Sequence, residues 1–119
     1  MAVKKKKETS TKAAQTPDGK IVTWKHPGGK LWRLGSESLT DAELLAVIIG
    51  SGVKDTSAEE IAGEIMHRYQ SFRGIAGHDL NEFLQIKGLD KVKIARLAAA
   101  WEIAGRIVKM VLEDREKNE

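Results

Sequence analysis

FLQIKGLDKVKIARLAAAWEIA, residues 83–104, decides how this chain is read. Its apolar positions Phe83, Ile86, Leu89 and Leu97 flank a tight Gly88-Leu89-Asp90 turn. From Lys91 onward Ile94, Leu97, Trp101, Ala104, Val108 and Val111 recur at spacings of three and four residues, the period of a helix with one apolar face. Two helices joined by a glycine turn of this kind form the helix-hairpin-helix pattern. Such a turn leaves the first backbone N–H groups of the second helix open, and the helix dipole adds partial positive charge. An anion such as a DNA phosphate can rest there, a contact that positions a duplex without reading its bases.

Lys87, Lys91, Lys93 and Arg96 surround the turn against Asp90 alone, a net +3 within residues 87–96. The candidate DNA-binding residues are therefore Lys87, Gly88, Leu89, Asp90, Lys91, Lys93 and Arg96. Two considerations pull the other way. A glycine-closed helical hairpin also turns two packed helices where no ligand is involved. Asp90 stands where the second helix begins, so its carboxylate can cap the N–H groups that a phosphate would need and repel the phosphate as well. Two readings stay open: a sequence-independent DNA-binding module with weak backbone contacts, or a protein-interaction or regulatory domain whose hairpin is purely structural.

Working upstream, Asp79-Leu80-Asn81-Glu82 predicts a short helix carrying Leu80, Phe83, Leu84 and Ile86, preceded by a Gly74–Gly77 loop. Thr56 or Ser57, with Glu59 or Glu60 three residues on, opens a helix to about Tyr69 whose face is Ile61, Ala62, Ile65, Met66 and Tyr69. Thr40-Asp41-Ala42-Glu43 has the form of a capping box, followed by Leu44, Leu45, Val47, Ile48 and Ile49, apolar on nearly every side, and Gly50 as a stop. The expected core is Leu44, Leu45, Ile48, Ile61, Ile65, Phe83, Ile86, Leu97 and Trp101. The fold class is thus all-α: a small helical bundle ending in a helix-hairpin-helix.

Before the bundle the pattern dissolves. Residues 1–20 are rich in Lys, Thr and Ala and are expected to form a disordered basic arm. Residues 21–38, broken by Pro27-Gly28-Gly29, are expected as an irregular segment packed on the body. The helical domain proper is assigned to 39–113, and 114–119 to a polar tail or linker. Trp24 and Trp32, interleaved with Lys25, Lys30 and Arg33, have the makings of a base-stacking surface, but packing on the helices is the preferred reading.

Composition removes several classes of function. With 41% hydrophobic and 31% charged residues, 119 residues suit one small soluble domain, expected as a cytoplasmic monomer. No apolar run approaches the roughly 18–20 residues of a membrane span. The absence of cysteine excludes disulfides and thiolate metal sites, and His26, His67 and His78 share no ligand spacing, so no metal or other cofactor is expected. No nucleophile–base motif is present, and no enzymatic activity is expected. Residues 1–35 carry nine Lys/Arg against Glu8 and Asp18, whereas residues 36–119 carry 11 basic and 15 acidic residues. The overall charge of +3 therefore belongs to the leader and is no argument for DNA binding by the body.

From about Pro27 to Ile107 the sequence resembles the N-terminal domain of the bacterial RadC family. KLWRLGSESLTDAELLAVIIGSG (30–52), TSAEEIAGEIMHRY (56–69) and FLQIKGLDKVKIARLAAAWEIAGRI (83–107) carry the resemblance. It implies a helical domain ending in a helix-hairpin-helix, a role in DNA repair, and a following C-terminal metalloprotease-like domain of the JAB type. That domain's metal-binding His-x-His motif is absent, so the chain is either the N-terminal piece of a longer protein or a short form. Family hairpins read Gly-apolar-Gly with a small residue four positions on; here Asp90 replaces the second glycine and Ile94 the small residue. The first change removes close backbone approach to a ligand, and the second is expected to push the two helices apart.

Overall fold

The computed structural model describes residues 13–15, 21–23 and 26–118. The chain divides into two compact units, 1–40 and 41–119. In the first, β1 (Ala13–Gln15) pairs antiparallel with β2 (Ile21–Thr23), with Ala14 opposite Val22. Ala13–Gln15 is thus a strand where a disordered arm was expected. The β-branched run Ile21-Val22-Thr23 favours extended backbone, and the turn-forming Pro17-Asp18-Gly19 lies between the two strands in the sequence. The rest of the arm, including Lys4–Lys7, and Trp24 lie outside the described residues.

Residues 27–38 correct a second expectation. Pro27–Leu34 is a helix, α1, followed by a 3-10 turn at Ser36–Ser38. Proline occupies the first helical position, where a missing N–H costs nothing and its φ is already helical, so what reads as a breaker here acts as a starter. Gly35, at φ +90°, closes α1 by donating to the Leu31 carbonyl at 2.8 Å. Trp32 is 86% exposed, against the expectation that it packs.

Among the described residues of the second unit the regular elements are helices, apart from an isolated bridge between Val53 and Thr56. α2 (Asp41–Ile49) buries Leu45, Ala46 and Ile49. It ends at Gly50, whose N–H reaches the Ala46 carbonyl at 2.9 Å. α3 (Ala58–Tyr69) starts on a capping box: Ser57 Oγ accepts from the Glu60 N–H at 3.0 Å and Glu60 Oε1 from the Ser57 N–H at 2.8 Å. Ala58, Ile61, Ala62, Ile65 and Tyr69 then line one face, at the spacing of an amphipathic helix, and are buried. A one-turn helix, α4 (Phe72–Ile75), runs into the expected Gly74–Gly77 loop, because Ser71 caps the Gly74 N–H at 3.0 Å and Ile75 supplies a core anchor.

Leu80–Gln85 is a 3-10 helix capped by Asp79. At three residues per turn Leu80, Phe83 and the capping residue Ile86 fall on one side; Phe83 and Ile86 are buried, Leu80 at the start of the segment is half exposed, and Leu84 on another side is exposed. α5 runs from Lys91 to Lys117, beyond the expected end at Glu113, because the charged helix formers after Leu112 continue it. Leu45, Ile49, Ile61 and Ile65 are the largest of the fully enclosed side chains; Leu89, Ile94 and Leu97 join them in the core. Leu44, Ile48 and Trp101 of the expected core are only half-buried, Trp101 meeting Phe72 edge-on at 5.8 Å. Among the described residues no helix is long and apolar enough to cross a membrane.

One polar lock holds the 3-10 segment to α3. Glu82 Oε2 accepts from the Tyr69 hydroxyl at 2.6 Å and lies 3.0 Å from His78 Nδ1. Burial and the Glu82 hydrogen bond push the Tyr69 hydroxyl up to about 12, and that same hydrogen bond holds the Glu82 carboxyl below the usual range. A lowered carboxyl pKa stabilises the fold above the group's unfolded value, and that stabilisation is lost as pH falls through the folded one. Tyr69→Phe should therefore lower the melting temperature near neutral pH, and the gap to the wild type should close as pH falls below the carboxylate range. In urea unfolding, Leu45→Ala and Ile61→Ala should each cost about 2–5 kcal/mol. Leu84→Ala, on an exposed position, should cost less than about 1 kcal/mol.

Candidate functional site

The hairpin forms as its sequence suggests, and its apex is set by sterics. Leu89 donates to the Ile86 carbonyl at 3.1 Å, closing the turn through Gly88 at φ +95°. A Cβ on Gly88 would lie 2.5 Å from Ile61 Cδ1, so the apex lies directly against the buried face of α3. Leu89 follows into the core, 7% exposed. Ile94 is 5% exposed and packs within the same core, so its bulk fills space between the elements where it was expected to force them apart.

The seven candidate residues are brought together around this turn, but they divide in what they do. Asp90 is the N-cap of α5: its Oδ1 accepts from the Lys93 N–H at 2.9 Å. That bond is the main reason its carboxyl is held below the usual range; the Lys93 charge, the Val92 N–H and the Arg96 charge act in the same direction. The helix start is thus occupied by the chain's own anion. Lys93 is 7% exposed, and its Nζ turns back to the Gly88 carbonyl at 3.4 Å. Arg96 Nη1 donates to the Ile49 carbonyl at 3.3 Å, which also accepts from the Ser51 N–H at 3.1 Å. Lys87 and Lys91 remain exposed on either side of the turn.

Of the four cations that make the local charge positive, two are therefore tied to backbone carbonyls. Nothing in the local sequence signals either role. Arg96 finds its partner 47 residues away, and Lys93 is buried because its alkyl stem lies one position from Ile94 on the packed side of α5. Among the described residues no group of three or more His, Asp or Glu side chains is placed to hold a metal ion. His67 is exposed, and His78 pairs with Glu82.

The UPF0758 N-terminal family model matches residues 21–95. The chain is 42% identical over 80 residues to a UPF0758 protein of Aliivibrio salmonicida, covering 67% of this chain and 36% of the relative. It is 35% identical over 96 residues to one of Alteromonas mediterranea, covering 78% and 43%. With a UPF0758 protein of Clostridium kluyveri it shares 38% identity over 80 residues. The chain thus spans little more than a third of the length of such curated relatives. No solved structure matches it.

The apex can be tested by glycine substitution. Gly88→Ala meets both the left-handed φ and the Ile61 methyl and should destabilise by more than about 1 kcal/mol in urea unfolding. Gly63→Ala is the control: Gly63 lies in mid-α3 with open space around its Cβ position. It should gain about 0.5–1 kcal/mol from helix propensity.

Proposed function

The chain belongs to the UPF0758 N-terminal family of RadC-like proteins, and from that premise we propose that it is a non-catalytic protein-interaction domain whose hairpin is structural. One observation carries this reading: the Asp90 carboxylate caps the start of α5, where a bound phosphate would need open N–H groups. The use of Lys93 and Arg96 on internal carbonyls supports it, since Lys93 is buried and Arg96, though exposed, already spends one of its N–H groups on the chain. The body is also net acidic over residues 36–119, which repels a polyanion at longer range.

A second reading is a sequence-independent DNA-binding module of a RadC-like DNA repair protein, with weak backbone contacts. Lys87 and Lys91, exposed beside the turn, favour it. Such binding would have a dissociation constant no tighter than about micromolar at physiological salt, with a log–log salt slope of about 0.9 per neutralised phosphate.

One substitution separates the two. Asp90→Gly restores an open helix start, removes the local negative charge and, because glycine is itself an acceptable N-cap, lowers stability only slightly. Wild type, Asp90→Gly and Lys91→Glu are titrated against labelled duplex, single-stranded and branched DNA at two salt concentrations. The interaction reading expects all three to behave alike, with any residual association lost when residues 1–20 are deleted. A several-fold gain in affinity for Asp90→Gly, with circular dichroism unchanged, would overturn it in favour of the phosphate cradle.

A further inference from the structure

Trp32 is a large side chain for which the fold gives no account. It is 86% exposed, although its own helix buries Pro27 and half-buries Leu31 and Leu34. A helical side chain is ordinarily flanked by those three and four residues away. For Trp32 these positions hold Gly28, Gly29, Gly35 and Ser36, and a Cβ built on Gly28 or Gly35 would stand in open space. Along its helix, therefore, nothing larger than serine stands beside the indole, and the ring is left bare.

Charge is divided unevenly along the chain. Residues 1–40, the first unit, carry nine Lys/Arg against Glu8, Asp18 and Glu37, whereas residues 41–119 carry 11 basic and 14 acidic residues. Lys30 and Arg33 belong to the same helix as Trp32. The ligand that complements such a unit is an anion that also presents flat rings. We propose that Trp32 is a stacking platform for a base of single-stranded nucleic acid, whose phosphates are drawn by the cations of the first unit. Every base has a π-face, so the site takes strands without regard to sequence, while the bases of a duplex are already stacked on one another and give it nothing to hold. This function lies outside the hairpin and adds to the interaction role given to the domain above.

Two other occupants fit less well. An anionic membrane takes up a face of several apolar side chains, and with Leu31 and Leu34 half-buried the indole stands alone. An acidic protein surface would meet the charge. However, an aromatic anchor in a protein interface works within a ring of contacts that exclude water, and the glycines and serine around Trp32 supply none.

Labelled oligo-dT and oligo-U, followed by fluorescence anisotropy against the full chain at low salt, should both bind. Trp32→Ala should weaken this by about tenfold, the loss of one stacked base, and Trp32→Phe should restore most of it, with circular dichroism unchanged in both. The log–log salt slope should be the same in Trp32→Ala as in the wild type, because the phosphate contacts are kept. An abasic strand of equal length offers the same phosphates without rings, and should bind the wild type only as weakly as oligo-dT binds Trp32→Ala. Duplex association, driven by charge alone, should be indifferent to Trp32→Ala. No binding of either strand, oligo-dT binding unaltered in Trp32→Ala, an abasic strand held as tightly as oligo-dT, or Trp32-dependent binding of anionic vesicles in place of strands each overturns the proposal. Its failure leaves the structural reading of the hairpin untouched, since that is decided by Asp90→Gly.

Discussion

The contact between Gly88 and Ile61 is the constraint on which the rest of the second unit depends. A residue at φ +95° with no Cβ lets the hairpin apex lie against the buried face of α3, with no room for a side chain between them. That approach fixes where α5 begins and at what level it passes α2 and α3. Leu89, one residue on, is driven inward, and Ile94 and Leu97 follow at helical spacing. Leu89, Ile94 and Leu97 share one buried cluster with Ile61 and Ile65.

The same geometry decides what the hairpin's charges do. Asp90 leaves the turn in extended conformation, which is what an N-cap requires, and its carboxylate falls within reach of the Lys93 N–H. With the first turn of α5 held against the body, the Lys93 stem is buried and its ammonium is left near the Gly88 carbonyl. Arg96, one turn further, arrives at the end of α2, where it shares the Ile49 carbonyl with the Ser51 N–H. Of the four cations in this cluster, Lys93 is buried against a carbonyl and Arg96 reaches another while still exposed; Lys87 and Lys91 stay open to solvent. Formal charge on a motif measures what is available to a ligand only after such internal contacts are subtracted.

α5 is much longer than the body needs. Its first three turns close the core, and the remainder carries Ile103, Ile107, Val108, Met110, Val111 and Leu112 exposed. Side chains that would be core in a larger domain are here surface, and the cleft beside Trp101 lies where the covered part of the helix gives way to the uncovered part. Hydrophobic burial is roughly proportional to the apolar area removed from water, so a helix with this distribution gains by acquiring a cover.

Much of this molecule was legible in its sequence. The Ser57–Glu60 capping box, the stripe from Ile61 to Tyr69, the glycine stop at 50 and the hairpin itself are local patterns, each set by a few adjacent residues, and each reads correctly. Where two local rules compete, the sequence is ambiguous: Pro27-Gly28-Gly29 breaks an element or starts one, depending on which position the proline takes. Periodicity also leaves the covering of a helix undetermined. α2 is apolar on most sides, so burial of Ile49 in preference to Leu44 and Ile48 is decided by where α3 lies, and Trp101 is only half-covered because the body ends beside it. The candidate site divides in the same way: the seven residues and the capping position of Asp90 could be named from the chain alone. The burial of Lys93 and the bond from Arg96 to Ile49 were decided by tertiary structure, because both depend on groups brought near by packing across tens of residues.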